Sequence, residues 1–155
     1  MTDLQTSSQE QDIELLSFRV DEQEYCVDIM SVREIRGWTK ATPLPFAPPH
    51  VKGVINLRGT VLPVIDLSAR LGMAAIDGQE QNVIVVVSVN GEMAGLLVDA
   101  VSDILTISRD ELQVPPDVGA DPATRCVDAL LLVEGKLIRV LDLSIILSPN
   151  AKDAA

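Results

Sequence analysis

The chain has 155 residues, of which 47% are apolar, 23% charged and only 3% aromatic, so it holds one ordinary domain or two very small ones with a modest, aliphatic core. Twelve Lys and Arg against 23 Asp and Glu give a net charge of −11, which repels phosphate backbones and anionic lipid and argues against nucleic acid as a partner. The densest apolar stretch, residues 83–87, is strand-sized and far short of the roughly 20 residues that span a bilayer, so a soluble protein without direct membrane insertion is expected.

Residues 1–12 are polar and acidic, without the basic and apolar regions of a signal peptide, and residues 149–155 are small and polar. Both read as mobile tails. Between them, β-branched runs at 16–20, 25–29, 51–57, 61–67, 83–89, 93–98, 130–133 and 137–141 alternate with turn signals, an all-β pattern. Asn90-Gly91 supplies the two φ > 0 residues of a type I′ hairpin, Gly135-Lys136 marks another reversal, and residues 21–24 form a third tip. Helical signal is confined to 30–36, 67–71 and 143–147, each about two turns at most and marginal alone. Two proline-bearing loops, 37–50 and 113–124, are long enough to be binding surface or simply slack.

The chain also repeats itself weakly. Residues 59–68 read like 135–144, and Val27-Asp28 recurs as Val98-Asp99, at offsets of 76 and 71 residues. Two units of this kind suit two small β-barrels, because closure removes exposed sheet edges. The expected division is a first lobe over 13–72, a linker over 73–81 and a second lobe over 82–148, with a strand free to cross between lobes.

No phosphate-cradling loop, Gly-x-Ser-x-Gly elbow or dinucleotide fingerprint is present, and His50 is the sole imidazole, which rules out a His-based zinc site and leaves acid–base work to carboxylates. No catalytic residue, metal or cofactor is expected. Cys26 and Cys126 lack metal-ligand spacing and read as buried thiols of a reducing cytosol. Asp66, Asp99 and Asp142 end apolar strands, where an Asp either caps the following turn or serves catalysis, and capping is the preferred reading. Glu34 and Arg58 are ordinary solvated charges or the rim of a protein–protein site. An exposed pair between them would contribute only about 0–1 kcal/mol to stability, whereas Arg is enriched at interfaces.

Val32-Arg33-Glu34-Ile35-Arg36-Gly37, followed by Val51-Lys52-Gly53-Val54-Ile55-Asn56-Leu57-Arg58-Gly59-Thr60-Val61-Leu62-Pro63-Val64-Ile65-Asp66-Leu67, closely resembles the CheW family, and the likeness covers roughly residues 16–147. The resemblance implies two packed SH3-like five-stranded β-barrels with short connecting helices. It further implies a chemotaxis adaptor, cytoplasmic and recruited to membrane-associated chemoreceptor arrays, monomeric on its own. The implied partners are the regulatory domain of the histidine kinase CheA and the cytoplasmic hairpin tip of methyl-accepting chemoreceptors. Residue matching places Val32, Glu34, Ile35, Gly53 and Arg58 on the receptor side, with a receptor helix entering a groove between the barrels. Kinase contacts are expected at the edge formed by Tyr25, Cys26 and Val27 and at the loop carrying Pro115, Pro116 and Val118. One departure is Ala129, which stands where many relatives have glycine and requires a backbone that avoids φ > 0; the loop 117–124 is another. Rival readings are the same scaffold in a non-flagellar array, an isolated regulatory module of a CheA-type kinase, and a small enzyme using Asp66 or Asp99.

Overall fold

The computed structural model describes residues 12–76, 78–116 and 125–147. Four two-residue hairpins set its registers: Asp21-Glu22, Arg58-Gly59, Asn90-Gly91 and Glu134-Gly135 each have φ between 50° and 87° at both positions, the conformation that matches strand twist. The last turn lies one residue earlier than its expected Gly135-Lys136. These turns connect β1 (Asp12–Val20) to β2 (Gln23–Asp28), β4 (Val51–Leu57) to β5 (Thr60–Asp66), β6 (Val83–Val89) to β7 (Glu92–Val98), and β9 (Val127–Val133) to β10 (Lys136–Leu141). Two further strands are β3 (Val32–Gly37) and β8 (Ala100–Ser108). The helix expected over 30–36 is therefore corrected: only Ile29–Ser31 makes a 3-10 turn, capped by Asp28, and the chain then runs as strand. Short helices α1 (Leu67–Arg70) and α2 (Leu143–Leu147) follow β5 and β10 as expected.

The strands form two five-stranded sheets, ordered β8-β1-β2-β10-β9 and β3-β6-β7-β5-β4. Position by position, the two orders equate β1 and β2 with β6 and β7, and β8, β9 and β10 with β3, β4 and β5. The offsets of 71 and 76 residues thus relate real structural equivalents. Sheet membership does not follow the expected division, however. The first half of the chain gives β1 and β2 to one sheet and β3 to β5 to the other, and the second half completes each. Exchange is reciprocal, and each sheet joins the two halves of the chain twice: through the antiparallel pair β8–β1 and the parallel pair β10–β2 in one, and through the antiparallel pair β3–β6 and the parallel pair β5–β7 in the other. Nor is 73–81 a slack linker: Ile76 is buried, its N–H donates to Asp66 (2.7 Å), and its carbonyl accepts from Lys52 (2.7 Å).

Alternation along the strands divides the core into three layers. Leu15, Cys26, Leu131 and Ile138 fill one barrel, and Ile55, Leu62, Ile84 and Val86 fill the other. Between the barrels lies the largest cluster, which includes Leu16, Phe18, Tyr25, Val27, Ile65, Val85, Leu96 and Ile146. Asp66 and Asp142 cap α1 and α2 through backbone N–H groups of Ala69 (3.1 Å) and Ser144 (3.0 Å). Asp99 instead accepts the N–H of Asp21 in the β1–β2 turn (2.8 Å). Buried Arg70 donates to the carbonyls of Ile145 and Ile146, tying α1 to α2 across the interface.

The loop after β3 folds back so that Thr42 bridges Val54, as Gln113 bridges Leu130 in the other barrel. Gly53 makes this possible. At φ 145°, a Cβ there would stand 2.1 Å from the Thr42 carbonyl oxygen. Its equivalent by register is Ala129, which has no positive φ, so the glycine requirement belongs to one barrel alone. Gly53→Ala is expected to cost about 2–4 kcal/mol through overpacking and strain, while Ala129→Gly should cost about 0.5–1 kcal/mol; denaturant melts of both variants check the contrast.

Both cysteines are free and buried. Burial pushes the Cys26 thiol up to about 12 and raises that of Cys126. Thiol labelling at pH 8 should therefore run roughly a hundredfold or more slower in the native protein than in denaturant, and labelling at equal rates would contradict this packing.

Candidate functional site

Along β3, side chains alternate between two environments. Glu34 and Arg36 lie on the side of Val86 and Ile84, which face the barrel interior, whereas Ile35 lies beside Val85, which faces the layer between barrels. Val32 packs against that layer, and Ile35 at the sheet edge stays 46% exposed.

Glu34 accepts hydrogen bonds from Arg58, at the tip of the β4–β5 hairpin, and from Arg36 (3.2 Å). As β3 and β4 are opposite edges of their sheet, this pair spans the seam where the barrel closes. The Arg58 hydrogen bond, helped by Arg36, holds the Glu34 carboxyl below the usual carboxylate range against a smaller opposing desolvation. A depressed folded pKa adds stability that is present above the unfolded pKa and lost as pH falls through the folded one. The Arg58 side chain is 73% exposed, so the pair adds little to stability.

The barrel equivalence isolates what is special here. At the positions of Glu34 and Arg36, strand β8 carries Leu105 and Ile107, and at the position of Arg58 the β9–β10 turn carries Glu134. One barrel closes with the apolar Leu105 and Ile107 at these positions of its edge strand, so the charges of Glu34 and Arg36 are not demanded by the fold.

The CheW-like domain family model matches residues 14–150. The chain belongs to the CheW family. It is 51% identical over 142 residues to the chemotaxis protein CheW of Rhizobium meliloti, with 92% of each chain covered. Against the probable chemotaxis protein CheW of Rhizobium etli, identity is 47% over 144 residues, covering 93% of each. The crystal structure of the scaffolding protein TtCheW from Thermoanaerobacter tengcongensis matches with a TM-score of 0.81 at 31% identity, covering 89% of both chains. The two SH3-like barrels expected from the CheW resemblance are the fold observed.

Of the five CheW-motif residues matched to a receptor surface, Val32, Glu34, Ile35 and Arg58 come together on β3 and the facing hairpin. Gly53 is buried, and what approaches it is the chain's own Thr42-Pro43 backbone. None of the five lines the apolar cleft of about 410 Å³ that runs from Pro48, Val51 and Pro63 to Ile146 and Leu147 of α2. The expected edge at Tyr25, Cys26 and Val27 is also corrected. β2 is hydrogen-bonded to β1 on one side and β10 on the other, and these residues are at most 1% exposed. Pro115 is half-buried and Pro116 exposed beside Val114, while Val118 lies outside the described residues, as do most of both expected tails. Among the described residues no group of three or more His, Cys, Asp or Glu is placed to hold a metal ion, and no helix is long and apolar enough to cross a membrane.

Carbon-13 titration of the Glu34 carboxyl is expected to give a pKa below that of an ordinary glutamate, rising toward the ordinary value in Arg58→Gln. Identical titrations would show that the ion pair does not form in solution.

Proposed function

We propose that this chain is a non-enzymatic chemotaxis adaptor that couples methyl-accepting chemoreceptors to the histidine kinase CheA, with β3 and the β4–β5 hairpin as its receptor-docking face. One observation carries the reading: Glu34 stands where the equivalent strand of the other barrel has Leu105 and pairs with Arg58, whose own equivalent is Glu134, so the ion pair at this rim has no counterpart in the other barrel. Exposed charge flanked by the apolar side chains of Val32 and Ile35 is the composition of a protein interface, with an apolar patch and a polar rim that selects the partner. A receptor helix would lay apolar residues against Val32 and Ile35 and polar ones along Glu34 and Arg58. Gly53 supports this face from within by fixing the loop that closes the barrel.

The kinase's regulatory domain takes a separate surface, with Pro115 and Pro116 its candidates beside Val114, which is 89% exposed. A coupler needs two faces held at fixed geometry, and the shared layer between the barrels supplies that rigidity. The protein acts in the cytoplasm, joins arrays through its partners and performs no covalent step.

Arg58→Glu places a carboxylate beside Glu34 at a solvent-exposed turn, so the fold should keep its stability to within about 0.5 kcal/mol. Reconstituted kinase activation with receptor membranes is expected to fall sharply, with direct CheA binding and thermal melting near wild type. Unchanged activation would remove Arg58 from the docking face, and a collapsed melt would make it structural.

A further inference from the structure

Beside the Glu34–Arg58 pair lies a second cleft, of about 350 Å³, lined by Arg36, Thr39, Lys40, Thr42, Asn56 and Val61 together with Val54 and Ile55. Its polar groups are rich in donors. Two cations and no carboxylate line it, in a chain with 23 acidic and 12 basic residues. Arg36 reaches Glu34 through one terminal nitrogen, and its buried Nε–H has no acceptor among the described residues. A guanidinium with unmet donors is costly unless an acceptor meets them. Lys40 is exposed and has no ion-pair partner among the described residues.

The other barrel again provides the control. At the positions of Arg36, Thr39 and Lys40 it carries Ile107, Asp110 and Glu111, so the local charge is reversed between two structurally equivalent places. Barrel closure alone therefore does not select cations here.

We propose that this cleft is a carboxylate subsite of the docking face: a glutamate or aspartate on the receptor helix enters it and accepts hydrogen bonds from Arg36 and Lys40. The proposal rests on the receptor reading of β3, because Arg36 belongs to both places and makes them one continuous surface. Charge complementarity favours such a partner, since a chain of net charge −11 repels acidic surfaces elsewhere and steers them to this cleft. The apolar wall of Val54, Ile55 and Val61 suits the methylene stem of the same side chain.

The test measures binding of the full chain to a receptor-tip hairpin fragment and, separately, to the CheA regulatory domain, each at low and physiological salt. Lys40→Glu is expected to weaken the receptor fragment roughly tenfold, to flatten its salt dependence, and to leave CheA binding unchanged. Arg36→Gln should weaken the same arm. Changing the acidic positions of the fragment singly to lysine should reveal one that restores binding to the Lys40→Glu chain. Wild-type receptor affinity in both variants, loss of CheA binding instead, or failure of every reversal to restore binding would overturn the subsite. Arg58→Glu in the same assay separates the two levels. If it abolishes receptor binding while Lys40→Glu and Arg36→Gln are silent, the docking face stands without the subsite; if all three are silent, the docking face and the subsite fall together.

Discussion

The structure depends on two parallel strand pairings, β2 with β10 and β5 with β7, each joining the first half of the chain to the second. Neither barrel can be completed from one half alone. The layer between the barrels is assembled by the same step, since its buried members come from β1, β2, β5, β6, β7, β10 and both short helices, with Leu71 and Cys126 beside them. Arg70 and Asp66 reinforce this joint by satisfying backbone groups at the points where chain segments meet, which matters because buried polar backbone left unpaired is costly.

On this rigid base the residues of the proposed docking face are free to be polar. A solvent-exposed ion pair does almost nothing for stability, and the other barrel closes with Leu105 and Ile107 in place of Glu34 and Arg36. Stability therefore resides in the aliphatic layers, and in the proposed reading partner choice resides at the rim of one barrel. The same division gives Gly53 a role within the fold: the backbone passing over it sets the position of the loop that carries Lys40 and Thr42.

Much of this was legible in the sequence. The hairpin at Asn90-Gly91, the capping roles of Asp66 and Asp142, and the 71- and 76-residue offsets all correspond to observed features, because turn chemistry and local hydrogen bonding act over a few residues. The missed strands, β3 and β8, are equivalent edge strands with weak apolar alternation, and a one-sided edge imposes little pattern on sequence. That a strand can cross between lobes was expected, but the extent of the exchange was hidden for a different reason. A repeat reveals which strands are alike, while the contacts of a strand are locally the same whichever copy it pairs with. Tyr25, Cys26 and Val27 were misplaced because a β-branched and aromatic run reads alike at the centre and the edge of a sheet. Glu34 and Arg58 were visible through their motif, whereas the Arg36–Lys40 cleft, assembled from residues 36 to 61 by barrel closure, left no local signal.

The reciprocal exchange also gives the connection between the two halves a purpose that its sequence conceals. Two separate half-chains would have to find each other in solution before either barrel could close, and their folding would then depend on concentration. Joining them covalently turns that encounter into an intramolecular event, at effective concentrations in the millimolar range for a short connection. The segment containing Ile76 is therefore a tether that makes folding first-order, and an adaptor built this way keeps its shape however dilute it is in the cell.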